Sequence, residues 1–575
     1  MKPVSEERHH LRLLAMLVVA VLMMSACGSD GDDTSGQTTS TQDDATTSDD
    51  SGDDATTSDD DGDGTTTSDD GEGATFVYAA AGVPETLDVW ATYQGDPSRL
   101  QMYEWGSKLV YYDAAGLADN GCSQLATTAN VRPGLAESWE VADDGTITFT
   151  LRQGVTSPAG NELTADDVVR SWNRAVEQSG VVRFLTADVS HFAETDPFEA
   201  VDDLTVQVNV DRPTALDISL FTYPMFMVHD WTAIDAGAGD SVDEWLIENT
   251  ANYGPWVLET FTPGEEAVYT AHPNYWDADR RGNIERLVVR NVTESSIRLQ
   301  LVSTGEADYA ERLSFQEYSE LQGTDGVDVL NCISPNRDNL ILNTQFAPFA
   351  DPQVRRAVSL AIDRDALVQG VYQGFATAST TGMSQVYLDD PSGLSTFEYD
   401  PEQAGQLLED AGVSDLSFTI TASPTRPGAH AESLAVQIQA FLSDVGVNAS
   451  VDVVPGSTEF SDQFFAGEYE AMTYLEPPAL ADPYYSANLY NTTVSFQNTH
   501  QYNNPQYDDL TVQIETTEPG PDRQQLIREL SDLIIEDTPM VYLVERSYTH
   551  AFGSGVSGYL NTPHGALLTF QMTKG

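Results

Sequence analysis

Positive charge is what this sequence has least of. Its 575 residues carry 26 Lys plus Arg against 91 Asp plus Glu, a formal charge of −65 at pH 7. An acid excess of that size repels phosphate backbones and anionic lipid, so neither nucleic acid nor a bare membrane surface is a fitting partner. Only three lysines occur, Lys2, Lys108 and Lys574. The internal one follows Trp105-Gly106-Ser107, which excludes a phosphate loop of the G-x-x-x-x-G-K-[ST] type and an ATPase built on it. Cysteine is as scarce, with Cys27, Cys122 and Cys332 the full set. No G-x-S-x-G and no H-E-x-x-H is present, and the histidines are scattered without ligand spacing. Nothing in the chain asks for a catalytic residue, a resident metal or a cofactor. Long apolar runs are absent too: the longest near the start, Leu13 to Met24, has 12 residues, where a membrane-spanning helix needs about 20. What is present is a globular composition, 40% hydrophobic and 9% aromatic, long enough for three or four structural units at ~150 residues each.

The first 75 residues read as address and tether. Lys2, Arg8 and Arg12 give a positive start, the apolar stretch follows, and Ser25-Ala26-Cys27 closes it with small residues and a cysteine. This ending resembles a bacterial lipobox, with Met24 where Leu is usual, and implies a signal peptide over 1–27 and a lipid on Cys27. Residues 28–75 hold 16 acidic side chains and no Lys or Arg, and ATTSDD at 45–50 returns at 55–60 and as TTTSDD at 65–70. With no large apolar side chain to bury, such a segment cannot offset its ordering entropy, so a disordered acidic linker is expected. As a flexible coil it would span ~35–40 Å. Asp59-x-Asp61-x-Asp63-Gly64 with Asp70 mimics a calcium loop. Thr66 and Asp70 replace the usual aliphatic and bidentate Glu, and an Asp-rich repeat generates this spacing by chance.

From Phe76 the composition changes to strands and capped helices. Residues 146–151 (TITFTL) and 204–210 (LTVQVNV) alternate at period two. Asp351-Pro352 and Asp400-Pro401 each supply an N-cap and a first-turn proline. A third helix is expected near 432–445, with Leu434, Ile438 and Leu442 at four-residue spacing. The fold class is therefore mixed α/β.

A resemblance enters at LAESWEVADDGTITFTLRQGV (135–155) and LTADDVV (163–169). It is preceded by ETLD (85–88) and continues in order through ANYGPWVLE (251–259), HPNYW (272–276), the long block 339–368, YDPEQAGQLLEDAG (399–412), ADPYY (481–485) and VSGYLNTPHG (556–565). In these blocks the chain resembles the bacterial extracellular solute-binding proteins of family 5, which serve peptide and nickel ABC importers. The resemblance implies a two-lobed periplasmic-binding-protein-like fold, with two crossover strands and the ligand enclosed between lobes. The lobes would be 76–338 with 540–575, and 339–539, crossing near 339–343 and 539–543. It further implies a monomer that hands its ligand to a separate permease with ATPase subunits, attached to the membrane through its lipid alone, on the outer face of the cell membrane.

Residue by residue, the resemblance puts Asp482, in ALADPYY, where dipeptide-binding members pair an Asp with the ligand's ammonium. Arg426, in SPTRPGAH, resembles the Arg that takes the carboxylate. Asp482 also reads as a helix cap before Pro483, and Arg426 as a loop arginine. Tyr474, Tyr253, Gly254 and Trp256 are the remaining candidates for the wall, rings that offer an apolar face and a polar edge. In an exported protein Cys122 and Cys332 form a candidate disulfide. A short peptide is the expected ligand. An oligosaccharide, an opine or a metal chelate is the alternative within the same fold, and a secreted hydrolase the rival outside it. The acidity fits a fold adapted to high salt.

Overall fold

The computed structural model describes residues 73–575 except 89, 91–105, 114–117, 120–121, 124–130, 215–216, 333, 389, 414, 427, 477–479, 481, 496 and 561–566. The expected signal peptide with Cys27, and nearly all of the acidic linker, lie outside the described residues. What is described belongs to one compact unit, Asp69–Gly575. Its first strand, Ala74–Ala80, opens two residues before the boundary expected at Phe76.

The unit has two lobes. In the first, a seven-stranded sheet runs in the order Trp256–Thr262, Glu266–Ala271, Ile284–Asn291, Ala74–Ala80, Tyr309–Ala310, Tyr548–Gly553, Val327–Cys332. The amino-terminal strand sits inside it, parallel to both neighbours. A four-stranded antiparallel sheet of Ala136–Val141, Ile147–Leu151, Thr205–Val208 and Phe198–Asp202 completes the lobe. Ile147, Phe149 and Leu151 are buried and alternate with half-buried threonines, as the period-two pattern requires. They pack toward the helix Ala165–Gln178, which Thr164 and Asp167 start with a capping box. Its Trp172 stacks on Phe221 at 4.7 Å between ring centroids.

The second lobe is a six-stranded sheet in the order Ala376–Ala378, Met540–Arg546, Arg337–Leu342, Ala471–Glu476, Ser417–Ala422, Asn448–Val453. On one face Leu340, Leu342, Ile420, Val541 and Leu543 share a core with the helices Pro352–Leu360, Pro401–Asp410 and Ala431–Asp444. Both Asp-Pro caps form: Asp351 accepts from Gln353 N at 2.9 Å and Asp400 from Gln403 N at 2.8 Å. Leu434, Ile438 and Leu442 are fully buried. The other face is covered by the helices Pro483–Asn491 and Pro521–Asp537.

The chain passes from the first lobe to the second between the strands that end at Cys332 and begin at Arg337, and returns at Ser547. Both crossings differ from the expected positions. Arg337–Leu342 and Met540–Arg546 pair with each other, Asn339 opposite Tyr542, wholly within the second sheet. The strand from Met540 therefore belongs to the second lobe, not the first. Beside the crossings Asp338 is fully buried and accepts from Tyr372 Oη at 2.7 Å. His430 Nε2 lies 2.8 Å from the same oxygen. Burial works to raise its carboxyl, but Arg546, His430 and Tyr372 outweigh that and hold it below the usual carboxylate range. Phe315, from the first lobe, packs on Tyr372 and His430 with centroids at 5.1 and 5.3 Å. Cys332 is buried and disulfide-bonded. The strand Cys122–Ser123 lies against Val327–Cys332, although the Cys122 side chain is outside the described ones.

Candidate functional site

Arg337–Leu342 and Ala471–Glu476 run antiparallel with Arg337 opposite Glu476 and Asn339 opposite Tyr474. Alternate residues share a face, so these four point to one side of the second sheet, at the end nearest the crossings. Arg337 is 1% exposed and holds Glu476 through Nη2 at 3.1 and 2.9 Å. Its Nη1 donates to Gly382 O at 2.9 Å, and the guanidinium lies 3.9 Å from the Tyr542 ring centroid. Glu545 comes from the neighbouring strand, accepts from Gln385 N at 3.0 Å, and is pushed up to about 7 by burial, with Arg337 opposing.

Asp482 is the N-cap of Pro483–Asn491, accepting from Tyr484 N at 2.8 Å. Its carboxylate is also gripped by both Arg523 terminal nitrogens, at 2.9 and 2.8 Å. Arg523 Nε donates to Ile514 O at 2.8 Å, so one guanidinium ties the cap to the helix that follows, Pro505–Thr516. Of the two expected roles of Asp482, helix cap and partner for a ligand's ammonium, these contacts are those of the cap. The charge is already matched within the chain, and three of about four acceptor positions are filled.

Arg426 ends a turn after the strand Ser417–Ala422, its N–H donating to Ser423 O at 3.2 Å. It is half-buried, and its Nη2 donates to Leu475 O at 3.1 Å. The guanidinium lies 4.2 Å from the Tyr474 ring centroid. Nε is buried without a hydrogen-bond partner, and no carboxylate among the described residues pairs with this arginine. Tyr474 is the shelf under it, because Phe464 stacks on the ring at 4.4 Å and a ring has only two faces. Tyr490 meets Tyr474 edge-on at 5.8 Å, and its hydroxyl is likewise buried without a partner. Burial pushes both phenols up, with Arg426 opposing.

The structure thus brings Arg426 and Tyr474 together but not the first-lobe candidates. Tyr253 is fully buried and donates to Asp167 Oδ2 at 3.1 Å, bracing the start of the helix Ala165–Gln178. Gly254 N donates to Asn252 Oδ1 at 2.7 Å. Trp256 is 1% exposed and opens the edge strand of the seven-stranded sheet. These are framework contacts of the first lobe. A surface cleft of about 570 Å³, lined by Glu137, Arg152, Leu204 and Trp276 among others, includes none of the six candidates.

Sequence reasoning missed Tyr490, Arg523 and Glu515. Glu515 is 1% exposed and reaches across to the first lobe. His191 Nε2 lies 2.6 Å from one of its oxygens, and Arg212 Nη2 donates to the other at 2.9 Å. Pairs 303 and 324 residues apart leave no local signal. Among the described residues no cluster of three or more His, Cys, Asp or Glu is arranged to hold a metal. No helix among them is long and apolar enough to cross a membrane.

Comparison with known proteins agrees with this architecture. The model of the bacterial extracellular solute-binding proteins, family 5 Middle, matches residues 130–498. Heme-binding protein A of Haemophilus influenzae is 23% identical, over 85% of this chain and 90% of its own. Glutathione-binding protein GsiB of Salmonella paratyphi A is 26% identical, over 77% and 86% respectively. Among solved structures, DppA from Helicobacter pylori in complex with peptide STSA superposes with a TM-score of 0.70. It covers 86% of this chain and 98% of its own at 22% identity, a likeness of fold alone.

Proposed function

From the premise that the chain belongs to the bacterial extracellular solute-binding proteins of family 5, we propose that it captures short peptides between its lobes for an ABC importer. Members of the family are binding proteins rather than enzymes, and the chain acts as one. A monomer held outside the cell by a lipid on Cys27 delivers the peptide to a separate permease and its ATPase subunits. The observation that carries the ligand reading is Arg426, a half-buried cation with an unpartnered Nε and no paired carboxylate among the described residues. A cation in that state is suited to the carboxylate of a ligand, since a charge-assisted bond contributes ~1.5–3 kcal/mol. The relatives named for glutathione and solved with a peptide support a peptide-like ligand.

A thermal-shift panel tests this directly. Pools of di- to pentapeptides are set against oligosaccharides, opines and metal chelates. A ligand that binds the folded state alone raises the melting temperature, by an amount corresponding to about 2.7 kcal/mol at a hundred times its Kd. Peptide pools are expected to give the shift. A shift with a sugar or a chelate and none with peptides would transfer the function to that class.

A further inference from the structure

Arg280, in the short turn Ala278–Arg280 of the first lobe, is turned the wrong way round for a surface arginine. Such side chains lay the stem along apolar surface and leave the charged head in water. This one keeps 20% of its side chain exposed, yet both terminal nitrogens are buried and neither has a hydrogen-bond partner. Its one ion pair among the described residues is loose, Nη1 to Asp277 Oδ2 at 3.7 Å. Leaving buried charged donors unsatisfied is costly, and a fold that does so is commonly built to hold an ion there.

Two more arginines share its surroundings. Arg132, in the strand Val131–Pro133, has Nη1 3.9 Å from the same Asp277 oxygen, and its Nε is buried without a partner. Its guanidinium lies 4.8 Å from the Tyr111 ring centroid, and Lys108 Nζ lies 4.7 Å from the same centroid. Arg152 donates from Nε to Gly134 O at 2.6 Å and stacks on Trp276, 5.1 Å from the ring centroid. Trp276 Nε1 is a further buried donor without an acceptor. Arg152 and Trp276 both line the first-lobe cleft of about 570 Å³. The acids nearby do not balance this group. Asp277 stands beyond hydrogen-bond distance of both arginines it pairs with, and burial pushes its carboxyl up, with Arg132 and Arg152 opposing. Asp279 is exposed, Glu137 lines the cleft, and neither forms an ion pair among the described residues. Glu285 is taken by Arg281. In a chain with 91 acidic residues, three guanidiniums are thus left with one distant carboxylate. The two terminal nitrogens of a guanidinium form a fork that two oxygens of one anion can fill together, which a spherical halide cannot.

We propose that the first lobe binds a small inorganic oxyanion, phosphate or sulfate, on Arg280, Arg132 and Arg152, with Trp276 Nε1 as a neutral donor. The site is built of first-lobe residues alone, includes none of the peptide-site candidates, and stands whether or not the ligand between the lobes is a peptide. The field of so acidic a chain repels an anionic membrane or a polyanion as a whole, so the occupant is a free small ion that only the local arginines feel. Asp277 is then a competitor for the arginines, and removing its charge should strengthen the site. Were the cluster only an ion pair holding the turn, the same change would weaken it.

The test uses the full chain in detergent, titrated with inorganic phosphate and with sulfate while sodium chloride holds the ionic strength constant. Binding is read by calorimetry and thermal shift. The parent should show a saturable site for at least one of the two oxyanions. Arg280→Gln and Arg132→Gln should each weaken it by about tenfold or more. Trp276→Phe, which keeps the ring and loses only Nε1, should weaken it several-fold. Asp277→Asn should tighten it several-fold. Arg290→Gln, whose exposed pair with Glu266 lies on a strand apart from the cluster, should leave it unchanged. Melting curves without oxyanion show whether each variant is folded, and Trp276→Phe with Asp277→Asn keeps the test open if the arginine variants are not. No saturable binding by the parent overturns the proposal. So does an affinity that Arg280→Gln leaves intact, or a loss in Asp277→Asn that matches the loss in the arginine variants.

Discussion

Glu545 is the carboxyl whose protonation the fold changes most usefully for experiment. It is buried, with Arg337, Glu476, Ser384 and the Gln385 N–H facing it, and burial pushes its pKa from the ordinary 4.5 up to about 7. A group raised on folding contributes stability that is fully present below its unfolded value and is lost as pH climbs through its folded one. Between pH 4.5 and 7, therefore, this side chain should make the protein progressively less stable, by on the order of 3 kcal/mol in total. Glu545→Gln, which mimics the protonated form, should flatten that segment of the stability-pH curve and melt higher than the parent above pH 8. Urea titrations at half-unit pH steps would show it, and parallel curves for the two proteins would count against a raised pKa. At this scale the sequence was half legible. Asp482-Pro483 could be read as a helix cap from two adjacent letters, and it is one. Its partner Arg523 lies 41 residues on, and no spacing rule links a cap to an arginine two helices away. Arg426 was legible as a basic residue in a turn, while the Tyr474 ring beneath it depends on strand register, which the sequence does not display.

Elements whose signals are local were read correctly for local reasons. The helices after Asp351 and Asp400 start where an acidic cap and a first-turn proline satisfy the orphan N–H groups. The strands Ile147–Leu151 and Thr205–Val208 follow from alternation alone. The lobe crossings were not legible, since alternation identifies a strand but not its sheet, and Met540–Arg546 reads the same in either lobe. The helix Pro505–Thr516 is the clearest case of function hidden by distance. It carries Glu515 to His191 and Arg212, which the Phe192–Val210 bridge and the bond from Asp211 N to His191 O hold side by side in the first lobe. In a two-lobed binder, contacts that exist only when the lobes meet bias the population toward closure. Glu515→Gln should cost this bias about 1–2 kcal/mol, a five- to thirtyfold change in the ratio of closed to open forms. Small-angle scattering without added ligand should then report a larger radius of gyration, with Arg212→Ala moving it the same way. An unchanged radius in both variants would show that the pairs follow closure and do not hold it.

On the scale of the whole molecule, charge decides the conditions under which the rest can be observed. Residues 76–575 alone hold 73 acidic and 23 basic side chains, so most surface carboxylates have no cation available. Several of the cations are also spent inside: Arg298 and Arg364 donate to backbone carbonyls, and Arg337 and Arg523 are locked in buried pairs. The exposed pairs Arg286–Glu259 and Arg290–Glu266 are worth little each, ~0–1 kcal/mol, and weaken in salt. Repulsion among the unmatched carboxylates also weakens in salt, and it acts over a longer range and among more groups. The two effects have opposite signs, and the numbers of charges favour the second. At about 0.01 M salt the Debye length is near 30 Å, comparable to a lobe, so carboxylates repel across the whole surface. At about 1 M it is near 3 Å, and only contacts remain. The melting temperature should therefore rise steadily with chloride concentration over that range. Chloride is the salt to use, because sulfate would strengthen apolar burial by exclusion and confuse the two causes. Sucrose at matched osmolality, which is excluded but does not screen, should give a much smaller rise. Equal melting temperatures at the two chloride concentrations would mean that the acidic surface imposes no load on the fold, and adaptation to high salt would no longer account for it.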